Sequence, residues 1–263
     1  MQLQAIFSSD SRHWTLINAS PDLRFQIEAN PELHPSAAFG ARNTPIGGII
    51  VTSADLDQVL GLLLLREFQP LHIYATSLVR EILEANGFFR VLHRVPNQLT
   101  WTTIEPGSPF QVAAGITCTA IELPASPPYY AEEFAPTKTA GVSVGLSIES
   151  DGRRLAYTPS LPEITDELIA VYEGCDAILV DGTFWSDAEL QNNHSGTPLA
   201  RAIGHVPMSG TEGTIALLAR LTGPRKVFIH INNTNPVLDP RSQEYKQVID
   251  AGWEIGHDGW QLS

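Results

Sequence analysis

The sequence predicts a mixed α/β fold. The chain has 263 residues, of which 43% are hydrophobic and 17% are charged, a composition typical of a globular protein with a sizeable core. Short runs rich in β-branched residues alternate along the chain with segments whose leucines recur at helical spacing. No internal repeat and no low-complexity linker interrupts this alternation. We therefore predict one domain over residues 1–263.

The first predicted elements are a hairpin, a helix and a buried strand. Residues 1–7 and 13–18 are apolar stretches separated by a polar turn, which predicts a β-hairpin. Ser20 stands before a proline and an aspartate, so it is predicted to cap a helix. Residues 47–52 are rich in isoleucine and valine and predict a strand. The leucines that share one face of the helix predicted next are Leu56, Leu60, Leu63 and Leu64.

The rest of the chain continues the alternation. The predicted strands cover residues 71–75, 110–113, 115–123, 142–149, 154–157, 177–180 and 226–230. The predicted helices cover residues 77–86, 164–172 and 212–221. The pair Asp151 and Gly152 is typical of a hairpin turn. Residues 124–136, rich in proline and aromatic side chains, predict an ordered or lid-like loop.

Charge and cysteine content exclude several classes of protein. Sixteen Lys and Arg against 29 Asp and Glu give a formal net charge of −13, and no basic cluster occurs, so we predict no nucleic-acid partner. Cys118 and Cys175 are the two cysteines, too few for a disulfide framework or a cysteine-rich zinc module. The longest apolar run, residues 59–65, is too short to span a bilayer. We predict a cytoplasmic protein without membrane insertion.

Polar side chains follow several predicted strands, at the position where α/β folds usually bind ligands. After the strand at residues 47–52, either Asp55 or Asp57 caps the next helix, or the two carboxylates contribute to a metal site. Asp181 closes another strand, and Gly182 after it allows an unusual backbone angle. An ordinary turn aspartate is the alternative interpretation of Asp181.

Two histidines are further candidates. His205 stands between a glycine and a valine and is either a hydrogen-bonded structural residue or a ligand. His230 ends an apolar strand, and we favour a functional role for it, because imidazole is a common ligand of transition metals and neighbouring amides can orient it or a substrate. The amides predicted to bind substrate or cofactor are Asn232, Asn233 and Asn235.

Six segments carry a resemblance to a known family. They are HWTLINASPDLR, SADLDQVLGLLLLREFQPLHIYA, LVDGTFW, GHVPMSG, HINNTNP and AGWEIGHDGW. In this order they resemble the pyrroloquinoline quinone (PQQ) biosynthesis protein B family of the metallo-β-lactamase superfamily, over most of the chain. The resemblance implies a metallo-β-lactamase-like αββα four-layer sandwich, in which two sheets pack face to face with helices outside.

The resemblance also implies a set of site residues. The superfamily carries an H-x-H-x-D-H metal motif, and the quinone family usually has S-x-D-x-D-H. Ser53, Asp55 and Asp57 match the family pattern, but Gln58 replaces the family's histidine. The catalytic residues that the resemblance implies are Asp57, Asp181, His205 and His230. The implied metal ligands are Asp55, Asp57 and His230.

The implied activity is that of an iron-dependent oxygenase, which uses Fe(II) and dioxygen to hydroxylate a tyrosine in a peptide-derived PQQ precursor. A carboxylate and two imidazoles on one face of iron suit this chemistry. Gln58 offers only an amide oxygen, so the alternative is a carrier of PQQ or its precursor that is catalytically degenerate at this position. A dizinc hydrolase is disfavoured, because Ser53 and Asp55 replace both first histidines of the superfamily motif.

Further expectations follow from the same resemblance. Family members typically begin with a Gly-rich segment and a cysteine-containing region that resembles a structural zinc site, and neither is recognised in this sequence. We therefore expect no structural zinc. The expected partner is a small-molecule or short-peptide PQQ precursor, and a homodimer is possible.

Overall fold

The computed structural model describes residues 4–37, 43–66, 69–131 and 140–262. Its contacts divide the chain into two compact units. We call Gln2–Val144 the amino-terminal unit and Gly145–Ser263 the carboxy-terminal unit. That the two form one domain stays a prediction.

The amino-terminal unit contains a five-stranded sheet and a hairpin. The sheet strands, in spatial and chain order, are β1 (Ala5–Phe7), β2 (Trp14–Ile17), β3 (Ile46–Ile50), β4 (Leu71–Ala75) and β5 (Leu99–Thr103). β1 is antiparallel to β2, which confirms the predicted hairpin, and the later neighbours pair in parallel. β6 (Pro109–Ala113) and β7 (Ile116–Leu123) form a second antiparallel pair.

The α-helices among the described residues of this unit are α1 (Leu23–Ala29), α2 (Leu56–Val59) and α3 (Ser77–Ala85). The prediction that Ser20 caps the first helix is wrong, because α1 begins only at Leu23. The Ser20 hydroxyl instead hydrogen-bonds the side chains of Gln4 and Gln26. The predicted helix that begins after β4 is confirmed, and Thr76 caps it by accepting a hydrogen bond from the backbone of Val79.

The predicted apolar face after β3 is largely wrong. α2 has four residues and passes into a 3₁₀ helix, Leu60–Leu65, whose tighter turn rotates the later side chains. The leucines that are 37–48% exposed are Leu56, Leu60 and Leu64. Val59 and Leu62 are buried instead. Gly61 lies between Val59 and Leu62. A Cβ there would come within 2.3 Å of the Ser20 carbonyl oxygen, so the backbone of Gly61 packs directly against the backbone at Ser20.

The carboxy-terminal unit is built on strands that pair side by side. They are β8 (Ser143–Ser150, which begins two residues before the unit), β9 (Arg153–Thr158), β10 (Ala177–Asp181), β11 (Arg225–Ile229) and β12 (Trp253–Ile255). β8 and β9 form an antiparallel hairpin, and the predicted turn between them holds Asp151 and Gly152 at left-handed φ values of 51° and 75°. β9, β10, β11 and β12 pair side by side in parallel.

The helices of this unit are α4 (Asp166–Glu173), α5 (Glu189–Asn193), α6 (Thr214–Leu217) and α7 (Gln243–Asp250). The helix predicted for residues 212–221 is shorter than expected, and its N-cap is Gly213. Sequence patterning missed β5, α5, α7 and β12, because these elements are short or, like α7, bury a single residue. None of the helices among the described residues is long and apolar enough to cross a membrane.

Candidate metal centre

Parallel strands of the carboxy-terminal unit bring their carboxyl ends to one edge. In the register, Thr158 pairs with Val180, and Asp181 pairs with Ile229. Residues that directly follow β9 and β11 therefore lie beside the end of β10. Those residues are Pro159 and His230. The polar residues predicted at the ends of β10 and β11, Asp181 and His230, therefore lie next to each other at this edge of the sheet.

Asp181 is fully buried and saturated with hydrogen bonds. Its Oδ1 accepts from the Thr183 hydroxyl at 2.5 Å and from the Thr183 backbone N–H at 3.1 Å. Its Oδ2 accepts from the Leu161 backbone N–H at 3.1 Å and contacts His205 Nδ1 at 2.6 Å. The bond to the backbone of Thr183 is typical of a turn aspartate, and a functional role for Asp181 stays a prediction.

The carboxylate of Asp181 is held in its ionised form. Burial alone would raise its pKa, but the imidazoles of His205 and His230 outweigh burial, and the pKa lies well below its usual range. An ionised carboxylate has only acceptor sites. His205 Nδ1 must therefore carry the hydrogen of the 2.6 Å contact, which leaves Nε2 as the nitrogen available for a further partner.

His205 is positioned by a tight turn. The 3₁₀ helix Arg201–Ile203 ends at Gly204, whose φ of 86° is left-handed and suits glycine. The His205 backbone N–H then donates to the carbonyl of Ala200 at 3.0 Å. Its side chain is 14% exposed. Carboxylate-bound imidazoles of this kind are common among metal ligands, because the bond fixes the ring's orientation.

His230 occupies a strained backbone position at the end of β11. Its φ is 54°, which is uncommon for a residue with a side chain and is found mostly where function or packing demands it. Its Nδ1 lies 2.9 Å from the carbonyl oxygen of Pro159, 2.9 Å from the Thr183 hydroxyl and 3.4 Å from Asp181 Oδ1. A carbonyl oxygen can only accept, so Nδ1 carries the hydrogen and Nε2 is unprotonated in the neutral ring.

Asp181, His205 and His230 form a group with the composition of a metal site. Each offers one ligand atom, and these atoms all lie within 4.8 Å of one another. The two imidazole rings are 5.5 Å apart between centroids. One carboxylate and two imidazoles suit first-row transition metals, iron and zinc included. The sequence identified all three residues: it predicted His230 as a ligand, and it left open whether Asp181 and His205 are ligands or residues with other roles.

Two contributors to this centre were missed by sequence reasoning. Thr183 touches both Asp181 and His230, and the carbonyl of Pro159 holds the same imidazole. The spacing Asp-x-Thr could have pointed to Thr183, since an aspartate often bonds the residue two positions later. A backbone carbonyl leaves no signal in the sequence.

The role predicted for Gly182 is wrong. Its φ is not among the left-handed values of the chain. The residue is needed for close approach instead: a Cβ there would lie 2.9 Å from Phe228 Cβ and 3.2 Å from the carbonyl oxygen of Ile229. Glycine lets the end of β10 pass tightly against β11 and so sets the separation of Asp181 and His230.

Hydrogen bonds of asparagine side chains hold the amide-rich loop after His230 in place. Asn235 is buried, donates to the Gly182 carbonyl at 3.0 Å and accepts from the Val237 backbone at 3.1 Å. Asn232 donates to the Thr234 hydroxyl at 2.7 Å. Asn233 is exposed. Binding of substrate or cofactor by the three asparagines stays a prediction, and the side chain of Asn235 already has partners at both its oxygen and its nitrogen.

Glu189 anchors this loop and was not predicted. Its Oε1 accepts from the Thr234 hydroxyl and its Oε2 accepts from the Trp185 backbone N–H, both at 2.6 Å. Burial raises the pKa of the Glu189 carboxyl, and these hydrogen bonds only partly offset that effect. The residue ties α5 to the loop that follows His230.

The residues of the predicted metal motif lie in the amino-terminal unit. Ser53 donates its hydroxyl hydrogen to Asp55 Oδ2 at 2.5 Å. Asp55 stands at the N-cap position of α2 without a side-chain capping bond, and Asp57 lies in the first turn. Gln58 is buried, and its Oε1 accepts from the Thr52 hydroxyl at 2.6 Å. Metal binding by Asp55 and Asp57 stays a prediction.

Tyr130 of the predicted aromatic loop forms a hydrogen bond to the backbone of this motif. The Tyr130 hydroxyl donates to the carbonyl of Ala54 at 2.5 Å. Burial, together with the nearby Asp55 carboxylate, raises the pKa of Tyr130 to about 12. Tyr129 beside it is 88% exposed. Residues 132–136 of the predicted loop lie outside the described residues.

Comparison with known proteins identifies close relatives. A family model described as a β-lactamase superfamily domain matches residues 13–231. "Coenzyme PQQ synthesis protein B" of Methylobacterium nodulans is 41% identical over 257 residues, which cover 97% of this chain and 85% of that protein. The protein of the same name from Rhodopseudomonas palustris is 41% identical over 271 residues, covering 100% and 88%.

Comparison with solved structures points to the same family as comparison of sequences. The crystal structure of Zn(2+)-bound PqqB from Methylobacterium extorquens matches with a TM-score of 0.91 and 38% identity, covering 99% of this chain and 86% of that one. A diphosphatase of the PhnP family matches with a TM-score of 0.66 at 17% identity, over 98% of this chain and 82% of that one, and shows the fold alone. The metallo-β-lactamase-like fold predicted from the sequence is confirmed.

Proposed function

Because the chain belongs to the coenzyme PQQ synthesis protein B family, we propose that it takes part in PQQ biosynthesis as an iron-dependent oxygenase. Its substrate is then a small-molecule or short-peptide precursor of PQQ, and the reaction is hydroxylation of a tyrosine. The name of the relatives supports the pathway, and the residues of the candidate centre support a metal-dependent reaction.

The observation that carries the proposal is the group formed by Asp181, His205 and His230, whose ligand atoms lie within 4.8 Å of one another. A carboxylate with two imidazoles is the donor set that non-haem ferrous oxygenases use. These residue types therefore suit a ferrous ion, and the imidazoles of His205 and His230 are the ligands that could bind it without rearrangement. When bound, that ion would supply the dioxygen chemistry that no amino-acid side chain provides.

The protein's own groups have distinct tasks in this proposal. His205 and His230 present Nε2 atoms, because their Nδ1 atoms are engaged with Asp181 in one case and with Pro159 and Thr183 in the other. Asp181 supplies negative charge that offsets the charge of a cation. Because its oxygens already accept four hydrogen bonds, direct coordination through it would require one donor to move away.

Anaerobic titration with ferrous iron tests the metal site. We expect the purified protein to bind iron and His230→Ala to lose that binding, while His13→Ala, which removes an exposed histidine of the amino-terminal unit, serves as the control. Addition of dioxygen, a two-electron reductant such as ascorbate and a tyrosine-containing precursor peptide should then consume oxygen and increase the peptide mass by one oxygen atom, with the second oxygen atom released as water. Iron binding that does not depend on His230 would contradict the proposal. A parallel titration with zinc compares the two metals.

A second candidate function, a carrier for PQQ or its precursor, is favoured by one observation. The Gln58 side chain is buried, and its carbonyl oxygen is already occupied by the Thr52 hydroxyl at 2.6 Å. The family usually has histidine at this position. In this chain, the one oxygen of the Gln58 side chain that could bind a metal is already engaged by Thr52. Tight binding of PQQ without any oxygen consumption in the presence of iron would favour the carrier over the oxygenase.

A further inference from the structure

The hydroxyl of Thr183 stands between a carboxylate and an imidazole. Its Oγ1 lies 2.5 Å from Asp181 Oδ1 and 2.9 Å from His230 Nδ1. A hydroxyl has one hydrogen to donate, and a short O–H···O⁻ bond is the strong, charge-assisted kind. The hydrogen therefore points to Asp181, and the lone pairs of Oγ1 face His230.

This arrangement assigns the hydrogen on the His230 ring. With the Thr183 hydrogen directed at Asp181, Oγ1 can only accept from His230 Nδ1. The carbonyl of Pro159, 2.9 Å from the same nitrogen, is an independent acceptor. Two acceptors on one nitrogen require that nitrogen to be the protonated one.

Thr183 is itself held firmly in place. Its backbone N–H donates to Asp181, and its carbonyl accepts from the Asn232 backbone at 3.1 Å and from the Asn235 side chain at 3.3 Å. The residue is 6% exposed. Its side chain therefore has little freedom to turn away from the two groups that it connects.

We propose that Thr183 is a positioning residue that holds His230 in the Nδ1–H tautomer and so presents Nε2 to a metal ion. One carboxylate, Asp181, then orients both imidazoles: His205 directly, and His230 through the Thr183 hydroxyl. This inference rests on the proposed metal-dependent function. Outer partners of ligating histidines typically change metal affinity by 10–100-fold when they are removed.

The test compares Thr183→Val, which replaces the hydroxyl by a methyl group of similar size, with Thr183→Ser, which retains a hydroxyl. We expect the affinity for Fe(II), and for Co(II) as a spectroscopic probe, to fall about 10–100-fold in Thr183→Val and to recover in Thr183→Ser. Thr214→Val is the matched control, since Thr214 is fully buried in the same unit and its hydroxyl has no hydrogen-bond partner among the described residues. Wild-type affinity in Thr183→Val would overturn the proposal.

A second readout needs no metal. In metal-free protein labelled with ¹⁵N-histidine, NMR should show His230 as the Nδ1–H tautomer in the wild type and in Thr183→Ser. In Thr183→Val, which leaves Pro159 as the remaining acceptor, we expect broadened or mixed signals. A wild-type Nε2–H tautomer, or an unchanged pattern in Thr183→Val, would overturn the role of Thr183. If the wild type shows the expected tautomer but binds no metal, the proposed function fails, while the assignment of the tautomer stands.

Discussion

At the scale of single residues, the candidate centre depends on one buried carboxylate. Asp181 is withdrawn from water, and four hydrogen bonds from Leu161, Thr183 and His205 compensate for its burial. A buried charge that is fully paired can be maintained, whereas removing it leaves its former donors unsatisfied. The same residue therefore supports the stability of the unit and the orientation of its histidines.

Asp181→Asn should destabilise the metal-free protein by about 3 kcal/mol at neutral pH, because the amide cannot accept at both positions. The folded protein lowers the pKa of Asp181 below its unfolded value near 4. Its contribution to stability is thus present above about pH 4 and is lost as the pH falls toward the folded value. Urea unfolding at several pH values measures this.

The control for this prediction is Asp151→Asn, which changes an exposed turn residue. The difference in unfolding free energy between wild type and Asp181→Asn should shrink as the solution is acidified. A difference that stays constant with pH would show that the charge of Asp181 is not what stabilises the fold.

Gln58 allows a separate prediction at the same scale. Gln58→His introduces an imidazole at the position where the resemblance implies a family histidine, and we expect iron to bind about tenfold more tightly, which corresponds to about 1.4 kcal/mol. Gln58→Leu, which has no ligand atom, should not strengthen binding. Calorimetric or spectroscopic iron titration makes the comparison. Unchanged affinity in Gln58→His would count against a ligand role for this position.

At the scale of elements, the ends of strands decide which residues meet. Parallel pairing of β10 with β9 and β11 sets Pro159 and His230 beside Asp181. Gly182 permits the close approach of β10 to β11. In the amino-terminal unit, Gly61 lies directly against the backbone at Ser20, and its neighbour Leu62 is buried while Leu60 and Leu64 are exposed. The hydrophobic periodicity of the sequence predicts neither of these close backbone approaches.

A pair of leucine substitutions tests the buried face of the α2 region. Leu62→Ala should lower the free energy of unfolding by about 2–5 kcal/mol, because Leu62 is fully buried and its loss leaves a cavity. Leu64→Ala, at a position that is 40% exposed, should cost less than about 1 kcal/mol. Chemical denaturation of both variants provides the measurement, and equal losses would contradict the described burial.

At the scale of the whole molecule, charge and ligand binding are connected. The formal net charge of −13 attracts cations and repels polyanions. The group of Asp181, His205 and His230 lies entirely within the carboxy-terminal unit. A metal ion held by this group would therefore stabilise that unit by binding its folded state.

We expect metal ions to raise the melting temperature, with about 2.7 kcal/mol of added stability when free metal is a hundredfold above its Kd. A chelator should reverse the effect, and His205→Ala and His230→Ala should reduce it. Hydrogen exchange should slow around residues 181, 205 and 230. Full stabilisation of His230→Ala by the metal would show that the ion binds elsewhere, and slowed exchange at residues 53–58 would support ligand roles for Asp55 and Asp57.

Much of the molecule was predictable from local patterns. β4 was predicted to the residue, and α3 and the hairpin turn at Asp151 were recognised because their signals lie within a few neighbouring residues. Ser20 was misassigned because its hydroxyl hydrogen-bonds the side chains of Gln4 and Gln26, and the leucines after β3 were misassigned because a 3₁₀ helix follows α2.

The sequence by itself determined the family, the class of fold and the identity of the polar residues that follow the strands, since motifs and hydrophobic periods are properties of the chain alone. Only the tertiary structure decided that Asp181 serves two histidines, that Thr183 and the carbonyl of Pro159 hold His230, and that Gln58 bonds Thr52. The physical reason is that a hydrogen bond depends on distance and direction in space, and strand pairing brings together groups as far apart in the chain as Pro159 and His230.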